Sequence, residues 1–180
     1  MHWTDAVNRF WFDELTPDDW FSARPEVDSA IRARFGDLRA ALKHKPPNAE
    51  LLDADGYVAA IVVFDQFSRN LFRKSPEAYA TDDVALALAR HAVDEGLDRS
   101  LDAHCRQFLY MPFMHSEDRD MQRRSVALFE SIGLPELVGY AEHHRRIVDR
   151  FGRFPHRNAV LGRVSSDEER DFLRSESAYP

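Results

Sequence analysis

Residues that start and end helices recur along the whole of this 180-residue chain. Thr16–Asp19 combines a capping hydroxyl, a proline at the first helical position and two acids that suit the helix dipole. Pro46 ends one helix, and Gly96, Gly133 and Gly152 are placed to end three more. No hairpin-turn signal separates two apolar segments. The pattern predicts an all-α protein whose helices are joined by short turns.

The amphipathic pattern is clearest between Val27 and Leu42. Apolar residues recur there at spacings of three and four, and polar residues, Arg39 among them, lie between. This period is typical of a helix with one buried face. The helix must end by Lys45, because the prolines that follow cannot continue it.

The most apolar segment, Tyr57–Phe64, permits two interpretations. Its β-branched residues suit a buried strand. However, the chain has no second strand-like segment to pair with it, and Asp55 or Gly56 can cap a helix. We therefore predict a buried helix that continues to Gln66 or beyond.

Length and composition set the class of the protein. Residues 1–180 are predicted to form a single domain of antiparallel helix pairs. The formal net charge of -7 argues against nucleic acid as a partner. A single cysteine, Cys105, excludes an internal disulfide, and no signal peptide or membrane-spanning run is recognised, so a cytoplasmic location is expected. No phosphate loop or dinucleotide motif is present, and no cofactor is predicted.

Three short segments place charged residues among large apolar ones. Burying such charges is costly unless they are paired, so we expect them to find partners in the fold. The segments are Asp65-Gln66-Phe67-Ser68-Arg69-Asn70, Phe108-Leu109-Tyr110-Met111-Pro112-Phe113-Met114-His115-Ser116-Glu117 and Gly152-Arg153-Phe154-Pro155-His156-Arg157-Asn158.

These three motifs, in this order, resemble the bacterial domain-of-unknown-function family 924. The resemblance extends from Phe10 to Leu173 and implies a TPR-like α–α superhelix, but it implies no activity. Two positions depart from the pattern of that family. Ser68 stands where a proline is expected, which allows the helix to extend further, and Val164 stands where a glutamate is expected near Arg163.

Arginines and amides in the first and third motifs suggest an anion site. The guanidinium fork suits carboxylate or phosphate. The candidate ligand-binding residues are Arg69, Asn70, Arg73, Arg153, Arg157 and Asn158. The alternative for the same residues is a structural network of ion pairs that locks helix against helix.

The acids and histidines of the motifs can support catalysis. We take His115 or His156 as the candidate base and Glu117 or Asp65 as its partner. Ser116 is predicted to cap the following helix. The spacing of these residues matches no standard metal-ligand pattern, and no metal site is predicted.

Three functions therefore remain open at this point. The first is binding of a small anionic molecule or peptide, the second is a hydrolase or transferase, and the third is a helical scaffold for other proteins; the sequence leaves a homo-oligomer open in each case. We expect six residues from the three motifs to meet in one buried polar cluster. They are Asp65, Arg69, His115, Glu117, Arg157 and Asn158.

Overall fold

The computed structural model describes residues 2–175, and the regular secondary structure in that range is helical throughout. The α-helices are α1 (Trp3–Asn8), α2 (Pro17–Phe21), α3 (Pro25–His44), α4 (Ala54–Ile61), α5 (Ser68–Leu71), α6 (Asp82–Asp94), α7 (Ala103–Met114), α8 (Arg119–Ile132), α9 (Pro135–Phe151) and α10 (Asp167–Leu173). The all-α prediction is confirmed. The finer expectation of a TPR-like superhelix stays a prediction.

Shorter helical segments join or extend these helices. π-helical turns follow α1 at Arg9–Glu14 and connect α4 to α5 at Val62–Phe67. Short 3-10 turns occupy Ala49–Leu51, Pro76–Tyr79, Leu97–Ser100 and Pro155–Arg157. Within residues 2–175, no helix has both the length and the apolar character needed to cross a bilayer.

The described residues form two compact units. The first contains residues 2–73 and Glu77–Pro112, and the second contains Lys74–Pro76 and residues 113–175. The expectation of a single domain over 1–180 stays a prediction, and its two ends, residue 1 and residues 176–180, lie outside the described range.

The core of the first unit is built on the segment from α4 to α5. Tyr57–Phe64 is almost entirely inaccessible to solvent, and the chain stays helical to Leu71, as the sequence predicted. The cap, however, is Asp53, whose Oδ1 accepts the Gly56 N–H at 2.8 Å. Asp55 and Gly56 already lie inside the helix, so the predicted cap was two to three residues late.

Aromatic rings fill the rest of this core. Trp11 contacts both Trp20 and Phe67, and Phe108 of α7 is in T-shaped contact with both tryptophans at 5.4 and 5.0 Å. The Trp20 indole N–H donates to the Trp11 carbonyl at 2.8 Å, which satisfies its polar atom. These aromatics are packing residues of the first unit.

The second unit contains the α8–α9 hairpin. Gly133, with φ of 81°, ends α8, and it forms with Leu134 the two-residue connection to α9. Gly152 ends α9 in the same left-handed conformation. The hairpin core joins Ile147 and Val148 to Phe154, with Phe172 of α10 packed beside them. Both glycine stops are confirmed.

The start of α8 differs from the prediction. Asp118, not Ser116, is the cap, and its carboxylate accepts the N–H groups of Asp120 and Met121 at 2.7 and 3.0 Å. The Ser116 hydroxyl instead accepts the Asp118 N–H at 3.2 Å. A carboxylate caps a helix as well as a hydroxyl does, so residue type alone does not favour Ser116 over Asp118.

Candidate functional site

The first motif forms a buried ion-pair cluster inside the first unit. Asp65 is fully buried, and its carboxylate lies 2.9 Å from Arg69 Nη1. Arg69 also donates two hydrogen bonds, of 3.0 and 3.1 Å, to the carboxylate of Asp82 at the start of α6. Burial alone would lower the pKa of the Arg69 guanidinium, but Asp65 and Asp82 raise it above its ordinary value. Arg69 is therefore a charged cross-link between two carboxylates.

The other polar residues of this motif converge on α3. Asn70 Nδ2 donates to Asp28 at 2.7 Å, and Arg73 donates to the same carboxylate at 2.6 and 2.9 Å. Although partial burial would raise the pKa of Asp28, the hydrogen bonds from Arg73 and Asn70 lower it below its usual range. The predicted ligand-binding residues Asn70 and Arg73 thus meet in an internal contact.

Arg39 lies between the apolar positions of α3 in the sequence, yet its side chain is buried. The residue is 2% exposed, and its Nε donates to the Ser68 hydroxyl at 3.0 Å. Ser68 in turn contacts Thr81, which donates to the Phe64 carbonyl at 2.6 Å. The remaining nitrogens of Arg39 bind Glu77. The hydroxyl of Ser68, present where the family resemblance predicted proline, is what links this network to α5.

The third motif makes a second set of ion pairs, inside the second unit. Arg153 binds Glu169 of α10 through both nitrogens of its fork, at 2.6 and 2.8 Å. Asn158 is almost fully buried, and its amide accepts from Arg163 Nε and donates to the Ser165 hydroxyl. These contacts hold the loop before α10 in place.

Glu117 is a carboxylate of the second unit that accepts several hydrogen bonds. Its oxygens accept from Arg163 at 2.6 and 2.9 Å and from the Phe154 N–H at 2.7 Å. Partial burial would raise its pKa, but these hydrogen bonds lower it. An ionised Glu117 is a poor proton donor at neutral pH, so its chemistry is that of a charge partner. Val164 is exposed, and Arg163 pairs with Glu117 instead of the glutamate that the resemblance predicted at 164.

Nitrogen-bearing side chains surround the ring of Phe154. The Arg157 guanidinium lies 4.6 Å from the ring centroid, and the rings of His144 and His156 lie 5.5 Å from it. His115 lies 6.2 Å from His144. We call this set, consisting of His115, His144, Phe154, His156 and Arg157, the Phe154 cluster.

His144 is the buried histidine of the Phe154 cluster. Its Nδ1 lies 2.8 Å from the Tyr140 carbonyl, and since a carbonyl only accepts, Nδ1 carries the proton. Burial, followed by the charges of neighbours including His115 and Arg157, lowers the pKa of His144 to about 3. The ring is therefore neutral at pH 7, and it lies in a positive local potential.

Gln122 of α8 fixes the backbone on both sides of His115. Its Nε2 donates to the carbonyls of Met114 and Ser116 at 2.7 and 2.6 Å. Gln122 is fully buried. His115 and His156 themselves are only half-buried, so the cluster combines a fixed interior with two solvent-reachable imidazoles.

The second unit brings together four of the six residues predicted to converge. They are His115, Glu117, Arg157 and Asn158, whereas Asp65 and Arg69 pair in the first unit. A single cluster of all six stays a prediction.

Sequence reasoning missed the residues that complete these sets. They are Asp28, Asp82, His144, Arg163 and Glu169. The three acids lie in the first turns of their helices, where an acid already suits the helix dipole, and His144 recurs with the apolar residues on one face of α9. A histidine on that face was the available signal for the cluster.

Metal and thiol chemistry find no support among residues 2–175. In that range no three histidine, cysteine or acidic residues are grouped so as to hold a metal ion. Burial, with Asp102 and Asp55 nearby, raises the pKa of the Cys105 thiol to about 12. A thiol with that pKa is not a nucleophile at neutral pH.

Comparisons with known proteins give a family without an assigned activity. The family model described as "Bacterial protein of unknown function (DUF924)" matches residues 7–177. A solved structure, a protein of unknown function (ATU0120) from Agrobacterium tumefaciens, is 37% identical with a TM-score of 0.89. The similarity covers 95% of this chain and 96% of that one. No curated protein matches the chain.

Proposed function

Because this chain belongs to the DUF924 family of bacterial proteins, whose function is unknown, we propose a function from its own geometry: it binds a small anionic molecule, or an anionic group of a short peptide, at the Phe154 cluster. The observation that carries the proposal is the Arg157 guanidinium and the imidazoles of His144 and His156 around the buried Phe154 ring, with the His115 ring 6.2 Å from that of His144. Guanidinium and imidazole N–H groups are the donors that carboxylates and phosphates prefer.

The charges around the cluster favour an anion. The nearby carboxylate, Glu117, uses both of its oxygens on Arg163 and on the Phe154 N–H. The pKa of His144 is lowered in part by the positive charges beside it. An anion bound at His115 and His156 would offset the positive electrostatic potential around His144. It can reach these two histidines because both are only half-buried. The formal charge of -7 argues against nucleic acid as the source of the anion.

The other predicted ligand-binding residues contribute to the fold in this proposal. Arg69, Arg73 and Arg153 each bind a carboxylate of their own unit, at distances of 2.6 to 3.1 Å. Each would have to give up that partner to hold a ligand. Arg157 and the half-buried histidines, which belong to the Phe154 cluster itself, are the first residues to test. We place the binding in the cytoplasm, in keeping with a chain that carries one free cysteine.

The test is a titration with inorganic phosphate and, separately, with acetate, followed by the NMR signals of the histidine rings. Phosphate is expected to shift the signals of His115 and His156 saturably, with a Kd no weaker than about 1 mM. Arg157→Gln should weaken phosphate binding about tenfold or more, whereas Arg146→Gln, an exposed arginine of α9, should leave it unchanged. His156→Asn repeats the test at a half-buried position in case Arg157→Gln does not fold. No saturable shift up to about 20 mM phosphate or acetate would overturn the proposal.

The ion pairs themselves favour a second candidate, a helical scaffold whose polar motifs only stabilise the fold. Arg69→Gln removes the ion pair between Arg69 and the buried Asp65 carboxylate, so it should lower the Tm by about 10 °C. If Arg69→Gln and Arg157→Gln both lower the Tm in this way and neither anion binds, the scaffold is the better account. The enzyme hypothesis, with His115 or His156 as base, stays a prediction.

A further inference from the structure

The outward face of α9 separates its charges along the helix. The exposed or half-buried positions Pro135, Gly139, Glu142, Arg146 and Arg150 recur at spacings of three and four. The first half of the helix carries only acids, and the second half is predominantly basic. The acids are Glu136 and Glu142, and the basic residues are Arg145, Arg146 and Arg150, with Asp149 between them.

A groove of about 400 Å³ lies beside the acidic half. It is lined by Glu130, Gly133, Pro135, Val138, Gly139 and Glu142. Glu130 occupies the last turn of α8, where the helix dipole favours a cation, and that turn has no basic residue. The groove therefore combines an apolar floor with two carboxylates and the carbonyl end of a helix. Its chemistry suits a positively charged side chain.

Gly139 has no structural explanation within the described chain. It lies inside a 17-residue helix, and an added Cβ would meet no atom within 4 Å. Its φ is not among the positive ones, so the backbone does not require glycine. Glycine in a helix interior is about 1 kcal/mol less favourable than alanine. A small residue on an exposed helix face does, however, allow a second helix to approach closely.

We propose that this face binds the same face of a second copy of the chain, with the two α9 helices antiparallel. An antiparallel two-fold arrangement places the acidic half of one helix against the basic half of the other. With the axis level with residue 144, Glu142 lies opposite Arg146 of the second copy at two symmetric places. In the dimer, these two exposed residues exchange the 3.9 Å contact that they make within one helix for a contact between the copies. Gly139 then lies opposite Asp149 and beside Arg150 of the second copy, and Arg150 is the basic side chain that the groove receives. This pairing is independent of the proposed anion site.

The size of the face predicts a weak dimer. One pair of helices buries less than the ~1,600 Å² of a typical stable interface. Exposed charges supply much of the attraction, and salt screens them. We therefore expect a dimer with a Kd on the order of 0.1 mM at low salt, weakening as salt is added.

Sedimentation equilibrium of the full chain, up to about 1 mM at low and high salt, tests the proposal. Arg146→Glu and Glu142→Arg should each weaken association about tenfold or more. The combined variant should restore it, since the swapped charges are again complementary. Gly139→Leu should weaken it too, by filling the groove. Arg123→Glu is the matched control, because Arg123 is an equally exposed arginine of α8 in a local pair with Asp120, and it should have no effect.

Three results would overturn the proposal. The first is a monomer at every concentration, and the second is a dimer indifferent to both charge reversals. The third is a combined variant that associates no better than the single ones. Helical circular dichroism of each variant, expected to match the wild type, shows that a loss of association is not a loss of fold.

Discussion

The carboxylate of Glu169 binds two different groups, the Arg153 guanidinium and the Ser166 N–H. It binds Arg153 through both oxygens, and one of those oxygens also accepts the Ser166 N–H at 2.7 Å, closing the capping box of α10. The residue is 3% exposed. The hydrogen bonds from Arg153 are the main reason that the pKa of Glu169 falls from 4.5 to about 2. The contacts of this carboxylate depend on its charge.

Glu169→Gln should lower the Tm by roughly 5 °C at pH 7, because the amide keeps the shape but loses the charge pairing with Arg153. Since the folded pKa is depressed, the stabilisation is complete above about pH 5. It is lost as the pH falls through 4.5 toward 2, so the difference between wild type and variant should shrink across that range. Thermal melts at a series of pH values measure this.

Glu168→Gln is the control, because Glu168 is the exposed neighbour and pairs with Arg150 at 2.8 Å. Exposed pairs contribute about 0–1 kcal/mol, so its Tm should change by no more than about 2 °C. Equal losses in the two variants would show that the burial of Glu169 does not matter.

The two roles of Glu169 differ in how far the sequence reveals them. The spacing Ser166-x-x-Glu169 is itself that of a capping box, because a cap involves residues three apart in the chain. The pairing with Arg153 spans 16 residues and depends on how the loop before α10 folds back. Charged residues among apolar ones indicated that Arg153 needed a partner, but the identity of that partner is a tertiary property.

At the scale of single elements, two glycines of the α8–α9 hairpin form a matched pair. An added Cβ meets no atom within 4 Å at Gly133 or at Gly139, so neither position is limited by space. They differ in backbone conformation alone: Gly133 has φ of 81° and ends α8, whereas Gly139 lies inside α9.

Gly139→Ala should therefore raise the free energy of unfolding by about 0.5–1 kcal/mol, because alanine loses less backbone entropy in a helix. Gly133→Ala should lower it by about 1 kcal/mol, because alanine is strained in the left-handed region. Urea unfolding of the two variants beside the wild type gives both values. The same sign for the two substitutions would mean that backbone conformation is not the deciding difference.

Helix ends were predictable to the extent that their chemistry is local. Gly133 and Gly152 end their helices as predicted, since a left-handed residue is what a helix end requires. The start of α8 was misplaced because Ser116 and Asp118 are both good caps and only the fold selects between them. Arg39 shows the same limit on a helix face. The periodicity of α3 does not reveal that this polar residue is buried, because its partners, Ser68 and Glu77, lie in other elements.

On the scale of the whole molecule, burial is distributed unevenly along the chain. Residues 57–64 of the first unit are essentially inaccessible, and the helix that they form continues to Leu71. In contrast, α2 has five residues, and its last residue, Phe21, is 64% exposed. Backbone protection should follow that contrast.

Native-state hydrogen exchange should therefore find the slowest amides of the first unit at residues 57–64. Their opening free energies should approach that of global unfolding, on the order of 5–15 kcal/mol. The backbone amides of α2 should exchange faster than those of the other helices of the first unit, because α2 frays locally. Faster exchange in 57–64 than in the exposed turns of α3 would contradict this order.

The helical class was evident from the sequence because it follows from many local signals that agree. The candidate site was only partly evident. Each motif was identified by charges in apolar surroundings, but Glu117 and Arg163 meet across 46 residues. No local pattern encodes a contact at that separation.

The aromatic core of the first unit also determines what an optical experiment observes. The chain has three tryptophans, Trp3, Trp11 and Trp20, and all of them belong to that unit. Trp11 and Trp20 are buried with their rings 6.4 Å apart and nearly parallel. Intrinsic tryptophan fluorescence is therefore a signal of the first unit alone, and the Phe154 cluster has no such reporter. An emission change on adding an anion would come from the tryptophan-bearing unit, and a tryptophan introduced at Phe151 would give the other unit its own signal.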